Sequence, residues 1–143
     1  MSLRFLRDRS GVSATEFAII APVLVLIVLG IIDGWSYAAS VLSARAAVKA
    51  GVNYVIQGGG EASTVQAVAL AAWTNPPSDA DVQAAQICYC SGASASCDVL
   101  CPSGSPPTAV YHVVATGTWI PPAPINYIME SRPISHDETI RVR

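Results

Sequence analysis

Charged side chains are scarce in this chain, and its basic residues form no continuous surface. Asp, Glu, Lys and Arg make up 13% of the residues, and the formal net charge is −2. Proteins that bind nucleic acid need a basic face that neutralises several phosphates. Arg4, Arg7 and Arg9 lie together, but only in a short N-terminal leader beside Asp8. The composition therefore predicts no nucleic-acid partner.

Histidine is also rare, and the motifs that accompany common catalytic sites are missing. The two histidines, His112 and His136, each fall in a predicted strand without another metal ligand at suitable spacing. No nucleophile elbow, phosphate-binding loop or metalloprotease helix motif occurs. We therefore expect no enzyme activity, no cofactor and no metal site, and a structural or surface role for both histidines.

Apolar residues are plentiful, and they are concentrated near the N-terminus. Phe17 to Ile32 carries no charge over roughly 16 residues, which is about 24 Å of helix, and Trp35 and Tyr37 suit the far membrane interface. We predict a transmembrane helix over 12–38. By the positive-inside rule the leader stays cytoplasmic, so the head, predicted over 39–143, lies outside the cytoplasm.

Two carboxylates, Glu16 and Asp33, bracket the apolar run. Neither therefore needs to lie at the bilayer centre, where an acid costs up to ~3 kcal/mol. A secretory signal peptide is the alternative, because a basic leader precedes the run and an A-x-A-like site exists at 44–46. Signal h-regions usually span about 7 to 15 residues, and Pro22 and the flanking acid fit that alternative poorly.

The helical pattern continues beyond the membrane to about residue 57, where a triple glycine follows. Four valines lie on one stripe of this continuation and need a partner surface: Val41, Val48, Val52 and Val55. Arg45 and Lys49 lie four residues apart on another face. We expect a solvated basic edge there, with a subunit contact as the alternative.

The rest of the chain predicts a short helix followed by strands. Ser63 to Gln66 has the form of a capping box and predicts a helix over about 64–73. Asp79 or Ser78 is expected to cap one further helical turn through 82–85.

Strands are predicted from alternating patterns at about 86–90, 110–120 and 134–142. In the last strand, Ile134, Ile140 and Val142 face one way, and the other face carries Ser135, Asp137, Thr139, Arg141 and Arg143. The predicted fold class is α+β: a long N-terminal helix, with a transmembrane half and an amphipathic half, packed on a small antiparallel sheet.

The four cysteines fall close together in a loop rich in Ser and Gly: Cys88, Cys90, Cys97 and Cys101. An even, clustered set outside the cytoplasm favours two disulfides. Three pairings are possible, and the nested one, Cys88 with Cys101 and Cys90 with Cys97, suits a hairpin-like loop. Zinc binding is the alternative, although the spacing is not the usual pair of C-x2-C knuckles.

The most specific pattern stands at the start of the apolar run. A basic leader is followed by Gly11, then by Glu16 five residues later, then by Phe17 and an uninterrupted apolar helix. This combination is typical of prepilin-type leaders. The glycine gives a peptidase access to an unhindered bond, and the leader arginines hold that bond at the cytoplasmic face.

Residues 11 to 57 resemble the TadE-like family, the minor pseudopilins of tight-adherence (Tad/Flp) type IV pili. The matching features are Gly11, Glu16 and Phe17, Pro22 within the apolar run, Gly30 to Asp33, and Ala50 to Tyr54. They cover about a third of the chain. The remainder follows the family only in outline, and the cysteine loop is not carried over from it.

The resemblance implies a pilin-like precursor that a prepilin peptidase cleaves between Gly11 and Val12. The protein would sit in the inner membrane with a single span, contact membrane lipid and the pilus assembly platform, and join other pilins and pseudopilins. Glu16 and Phe17 would serve subunit assembly, with Glu16 pairing with the new N-terminal ammonium of Val12 in a neighbouring subunit. The alternative is that Glu16 merely lies at the headgroup interface.

Two other functions compete with this interpretation. One is a single-pass anchored periplasmic binding or adhesion protein outside any pilus, and the other is a pilus-tip adhesin that uses the loop over 92–107. The sequence also leaves open whether Ile125 to Met129 belongs to the core or to a contact site.

Overall fold

The structure is a computed structural model, and it describes residues 10–122 and 130–142. Within these residues, two helices precede four strands. The helices are α1 (Ser10–Ile56) and α2 (Ala62–Ala72), and the strands are β1 (Asp81–Cys90), β2 (Ala93–Ala95), β3 (Thr108–Trp119) and β4 (Arg132–Val142). The predicted α+β class, with a long N-terminal helix and a small antiparallel sheet, is confirmed.

Helix α1 ends at the triple glycine for a local reason. Gly58 has a φ of 99°, a left-handed conformation that glycine adopts without steric cost. The Gly59 amide donates to the carbonyl of Tyr54 at 3.0 Å, and the Gly58 amide donates to that of Val55 at 3.0 Å. These two bonds form a Schellman motif, which satisfies carbonyls that the last helical turn leaves without partners.

The sheet has the order β2-β1-β3-β4, and every neighbouring pair is antiparallel. One face of the central strand β3 is buried at alternate positions, Tyr111, Val113 and Ala115, and Trp119 is buried at its end. On β4 the predicted alternation is present, with Ile134 buried and Ile140 half-buried. The buried face of the sheet is therefore the one that meets the helices.

The valine stripe of α1 has the partner surface that its spacing required. Val48, Val52 and Val55 are at most 4% exposed, and Val41 is partly buried against the same core. This core also contains side chains of α2 and of the sheet. The second half of α1, α2 and the sheet thus form one packed unit, which we call the head.

Helices α1 and α2 approach each other closely at Gly51. A Cβ placed there would lie 3.1 Å from Ala69 Cβ and 3.3 Å from Val65 Cγ1. Both of those residues are fully buried. The missing side chain at Gly51 therefore lets α2 pack directly on the α1 backbone.

The expected helical turn over 82–85 is wrong. These residues belong to β1, in which buried Val82 and Ala84 alternate with exposed neighbours. Asp79 caps no helix. Its carboxylate accepts a hydrogen bond from the Thr118 amide at 2.9 Å, and hydrogen bonds from the side chain and the amide of Thr118 lower the pKa of Asp79.

The expected capping box at the start of α2 is also wrong. The helix begins earlier than about residue 64, and its N-cap is Glu61, which makes no side-chain cap hydrogen bond. The Ser63 hydroxyl instead donates to Glu61 Oε1 at 3.4 Å. Packing of Val65 and Ala69 against α1, rather than capping chemistry, sets where this helix lies.

Candidate functional site: the exposed N-terminal helix

The first part of α1 is apolar and has little protein around it. We call residues 14–32 the apolar segment. Apart from half-buried Leu29, its large apolar side chains are 46% to 75% exposed: Phe17, Ile19, Ile20, Val23 to Val28, Ile31 and Ile32. A helix that is apolar on every face is typical of a membrane span or of a buried bundle. Helix α1 is long and apolar enough to cross a membrane once.

The predicted processing and assembly residues lie at the start of α1. The backbone of Gly11 and Val12 is in its first turn, and Glu16 and Phe17 are exposed on the next. Val12 and Glu16 are four residues apart, which is about one helical turn, or about 6 Å along the axis. A chain cut after Gly11 would therefore carry its ammonium about one helical turn before Glu16. The leader arginines lie outside the described residues.

Asp33, at the other end of the apolar segment, is buried. It is only 1% exposed. The head therefore begins to cover α1 at Asp33, within the predicted transmembrane helix over 12–38. Within the described part of α1, the stretch that the head does not cover ends near Ile32.

An aromatic cluster attaches the end of β3 to α1 just beyond Asp33. The Trp119 indole Nε1 donates to Ser36 Oγ at 3.1 Å. The rings of Trp119 and Tyr37 meet edge to face, with centroids 5.3 Å apart, an arrangement that aromatic pairs prefer. Tyr37 was predicted to lie at the membrane interface, and the structure shows it packed against the head, whereas Trp35 is 76% exposed.

The basic pair Arg45 and Lys49 lies exposed on the outer face of α1. No salt bridge joins either residue to an acid among the residues that the structure describes. This agrees with a solvated basic edge, and a subunit contact through this pair stays a prediction.

All four cysteines form disulfides, but the nested pairing is wrong. Cys88 pairs with Cys97 and Cys90 with Cys101, with Cα atoms 5.2 and 5.5 Å apart. The register of the β1 and β2 hairpin explains this, because Cys90 lies opposite Ala93 and Cys88 opposite Ala95. The chain moves away from Cys90 by about 3.4 Å per residue along β2. It therefore brings Cys97 to Cys88 rather than to Cys90.

Strand β2 was not predicted from the sequence, although a signal for it is present. Ser91 and Gly92 have φ values of 52° and 86°, and a two-residue connection with both residues left-handed is the type I′ turn of tight hairpins. The Ser-Gly dipeptide between Cys90 and Ala93 was the available clue.

The cysteine loop borders an open groove of about 560 Å³. Its lining combines serines with Val99 and Leu100, which are 62% and 64% exposed. Two exposed apolar side chains beside a groove can contribute to a contact with another molecule. The groove lies beside the loop over 92–107, which the adhesin alternative would use to bind a surface.

His112 has a neighbour that sequence spacing could not reveal. Its Nε2 lies 3.5 Å from Asp137 Oδ2, and both side chains are solvent accessible. The two residues are brought together across β3 and β4, where His112 pairs with Thr139. Among the described residues, His, Cys, Asp and Glu form no group of three or more that could hold a metal ion.

Comparison with known proteins supports the resemblance over one segment. The family described as TadE-like protein matches residues 11–52, which confirms the similarity to the TadE-like family there. The match spans the apolar segment and the α1 stripe as far as Val52, and it leaves α2 and the sheet uncovered. No curated protein and no solved structure gives a significant match.

Proposed function

We propose that the protein is a minor pseudopilin that helps to build a Tad/Flp-type adhesive pilus. In this proposal a prepilin peptidase cleaves the precursor after Gly11, and the chain is that enzyme's substrate and not an enzyme itself. The mature protein remains in the inner membrane with its head in the periplasm, and its N-terminal helix joins other pilins and pseudopilins at the assembly platform.

One observation carries the proposal: the segment that matches the TadE-like family includes an apolar helix with little protein cover. Residues 11–52 contain the match, and within them the side chains over 14–32 are almost all exposed. Lipid can surround such a segment in the precursor. Apolar helices of neighbouring subunits can replace the lipid in an assembled fibre.

Glu16 gives this surface its specificity. A carboxylate on an apolar helix is costly to bury alone, and much of that cost is recovered when a cation meets it. Cleavage after Gly11 would create such a cation, the ammonium of Val12, at the same end of the helix. We therefore assign Glu16 to pair with the ammonium of a neighbouring subunit, with Phe17 packing beside it.

N-terminal sequencing of the protein from its native membrane tests the cleavage. The expected mature sequence begins at Val12, and Gly11→Leu should leave the leader attached. Gly30→Leu is a matched control, because a Cβ there meets no atom within 4 Å, and it should not affect cleavage. A native protein that begins at residue 1, or after Ala46, would contradict the proposal.

The role of Glu16 is tested separately. Glu16→Ala and Glu16→Gln should leave membrane insertion unchanged and abolish recovery of the protein in sheared pili. Asp98→Ala, which removes an exposed carboxylate of the head, should leave recovery unchanged. Equal recovery of all three variants would show that Glu16 lies passively at the membrane interface.

The groove beside Val99 and Leu100 supports a second candidate function, adhesion by the cysteine loop over 92–107. Replacing both residues with Ser should then abolish surface attachment while pili still form. Leu42 is 62% exposed on α1. Leu42→Ser is therefore the control, and it should leave attachment unchanged. Loss of pili together with attachment would favour the assembly role.

A further inference from the structure

The base of the head lies at the height of the lipid headgroups if α1 crosses the membrane as proposed. From Ile32, the end of the apolar segment, to Ser36 the helix rises about 6 Å. The headgroup layer on each side of the hydrocarbon core is about 5 to 7 Å thick. Because Trp119 donates to Ser36 at 3.1 Å, the end of β3 is held at that height.

Two large apolar side chains project from the molecule at this level. Ile120 directly follows Trp119 and is 68% exposed. Trp35 is 76% exposed and lies two residues beyond buried Asp33, which is about 200° around the helix. Trp35 therefore lies on the face of α1 that points away from the head. Ile120, in contrast, belongs to the head itself.

The charges near this level fit an interface between water and lipid. No Asp, Glu, Lys or Arg occurs in α1 between Asp33 and Arg45. Arg132 lies opposite Trp119 in the sheet and is exposed, so its long side chain can reach lipid phosphates. Asp79 and Glu130 are acidic groups near the same end of the sheet, and Asp79 is already hydrogen-bonded to Thr118.

We propose that the base of the head, at Ile120 and Arg132, rests together with the exposed Trp35 of α1 in the headgroup layer of the membrane that α1 crosses. This inference depends on the membrane span proposed above. The contact is small, but α1 tethers the head at a fixed height and so keeps the local concentration of lipid high. Tryptophan favours this layer because its ring is amphipathic. The partner is thus a bilayer surface rather than another protein.

Spin labels on single introduced cysteines can test this contact in the full-length protein. All four native cysteines are in disulfides, so an introduced thiol can be labelled selectively. Ile120→Cys tests the base. Val99→Cys, at a similarly exposed site in the cysteine loop, is the aqueous control, and Val25→Cys is the membrane control. Vesicles of phosphatidylcholine and phosphatidylglycerol provide the bilayer.

The readout is the collision rate of each label with oxygen, which enters lipid, and with a polar nickel complex, which does not. At Ile120 the nickel rate should be several-fold lower than at Val99, with oxygen access retained. Equal nickel rates at the two sites, with Val25 in lipid, would overturn the inference and leave the membrane span intact. Shielding of Ile120 from both reagents would overturn it in favour of a protein contact. A water-accessible Val25 would refute the span itself.

Discussion

Two tryptophans of the head are equally buried but differ in whether the indole N–H has a hydrogen-bond acceptor. Trp119 and Trp73 are each 3% exposed. Trp119 Nε1 donates to Ser36, whereas Trp73 Nε1 is buried and finds no acceptor among the described residues. A satisfied buried hydrogen bond contributes about 0.5 to 1.5 kcal/mol, and a buried donor without a partner costs about 1 to 3 kcal/mol. The two tryptophans are therefore equally buried but contribute differently to the free energy of unfolding.

Trp119→Phe should destabilise the head more than Trp73→Phe does, by about 1 to 2 kcal/mol. The first substitution removes a hydrogen bond and leaves Ser36 without its donor, and the second removes an unsatisfied donor. Denaturant unfolding in detergent, followed by near-UV circular dichroism, measures both free energies. Ser36→Ala should reduce stability in the native background but have little effect in Trp119→Phe. Equal costs for the two tryptophans would contradict this account.

Tyr111 gives the head a dependence on alkaline pH. Burial, and secondarily the charge of Glu61, raises the pKa of Tyr111, and its hydroxyl donates to the Gly60 carbonyl at 3.0 Å. A raised pKa means that the unfolded chain ionises first as pH rises. The stability linked to Tyr111 is therefore complete below the unfolded pKa of about 10 and is lost as pH rises through the folded value.

Tyr111→Phe should cost about 1 kcal/mol near neutral pH, because the bond to Gly60 is lost. Above pH 10 this difference should shrink, since the variant cannot ionise at this position. Chemical unfolding of both proteins at several pH values measures the difference, and the other tyrosines cancel in the comparison. A constant difference across the whole range would refute the linkage.

At the scale of elements, the crossing of α1 and α2 depends on one small residue. Gly51→Leu should destabilise the head by about 1 to 3 kcal/mol, because the added atoms overlap Ala69 and Val65 in a packed core. Gly34→Leu is the matched control, since a Cβ there meets no atom within 4 Å. Thermal unfolding in detergent measures both. If Gly51→Leu is as stable as the control, the helices can separate at no cost.

The sequence predicted the elements better than it predicted their ends and caps. The alternation in β3 and β4 was legible because one face of each strand meets the core. Residues 82–85 were misread because their burial depends on α2 and β3, which are distant in the chain. The disulfide pairing also required a register, and the short strand that sets this register was not predicted.

At the scale of the whole molecule, the sequence indicated that a stripe of α1 must be covered, and it is. The periodicity of the valines was sufficient for that prediction. It could not show that cover begins at Asp33, because this depends on where the far end of β3 meets the helix. Residues Ile125 to Met129, which the sequence left open as core or contact site, lie outside the described part of the chain.

Val48→Ala should destabilise the whole head by about 1 to 3 kcal/mol, because Val48 is fully buried in the core shared by both helices and the sheet. Leu42→Ala, on the exposed face of the same helix, should change stability by no more than about 0.5 kcal/mol. Denaturant unfolding in detergent compares them. Similar losses at both sites would mean that the stripe is not the main support of the head.

Helix α1 runs without interruption from Ser10 to Ile56, with Pro22 inside it, so the apolar segment and the core of the head share one continuous helical shaft. Rotation of the head about the axis of this shaft must turn Glu16 through the same angle. In any assembly built through α1, a subunit therefore cannot turn its head toward a new neighbour without turning Glu16 away from the old one. The orientation of the heads relative to one another and the orientation of the Glu16 side chains in the membrane are therefore set together.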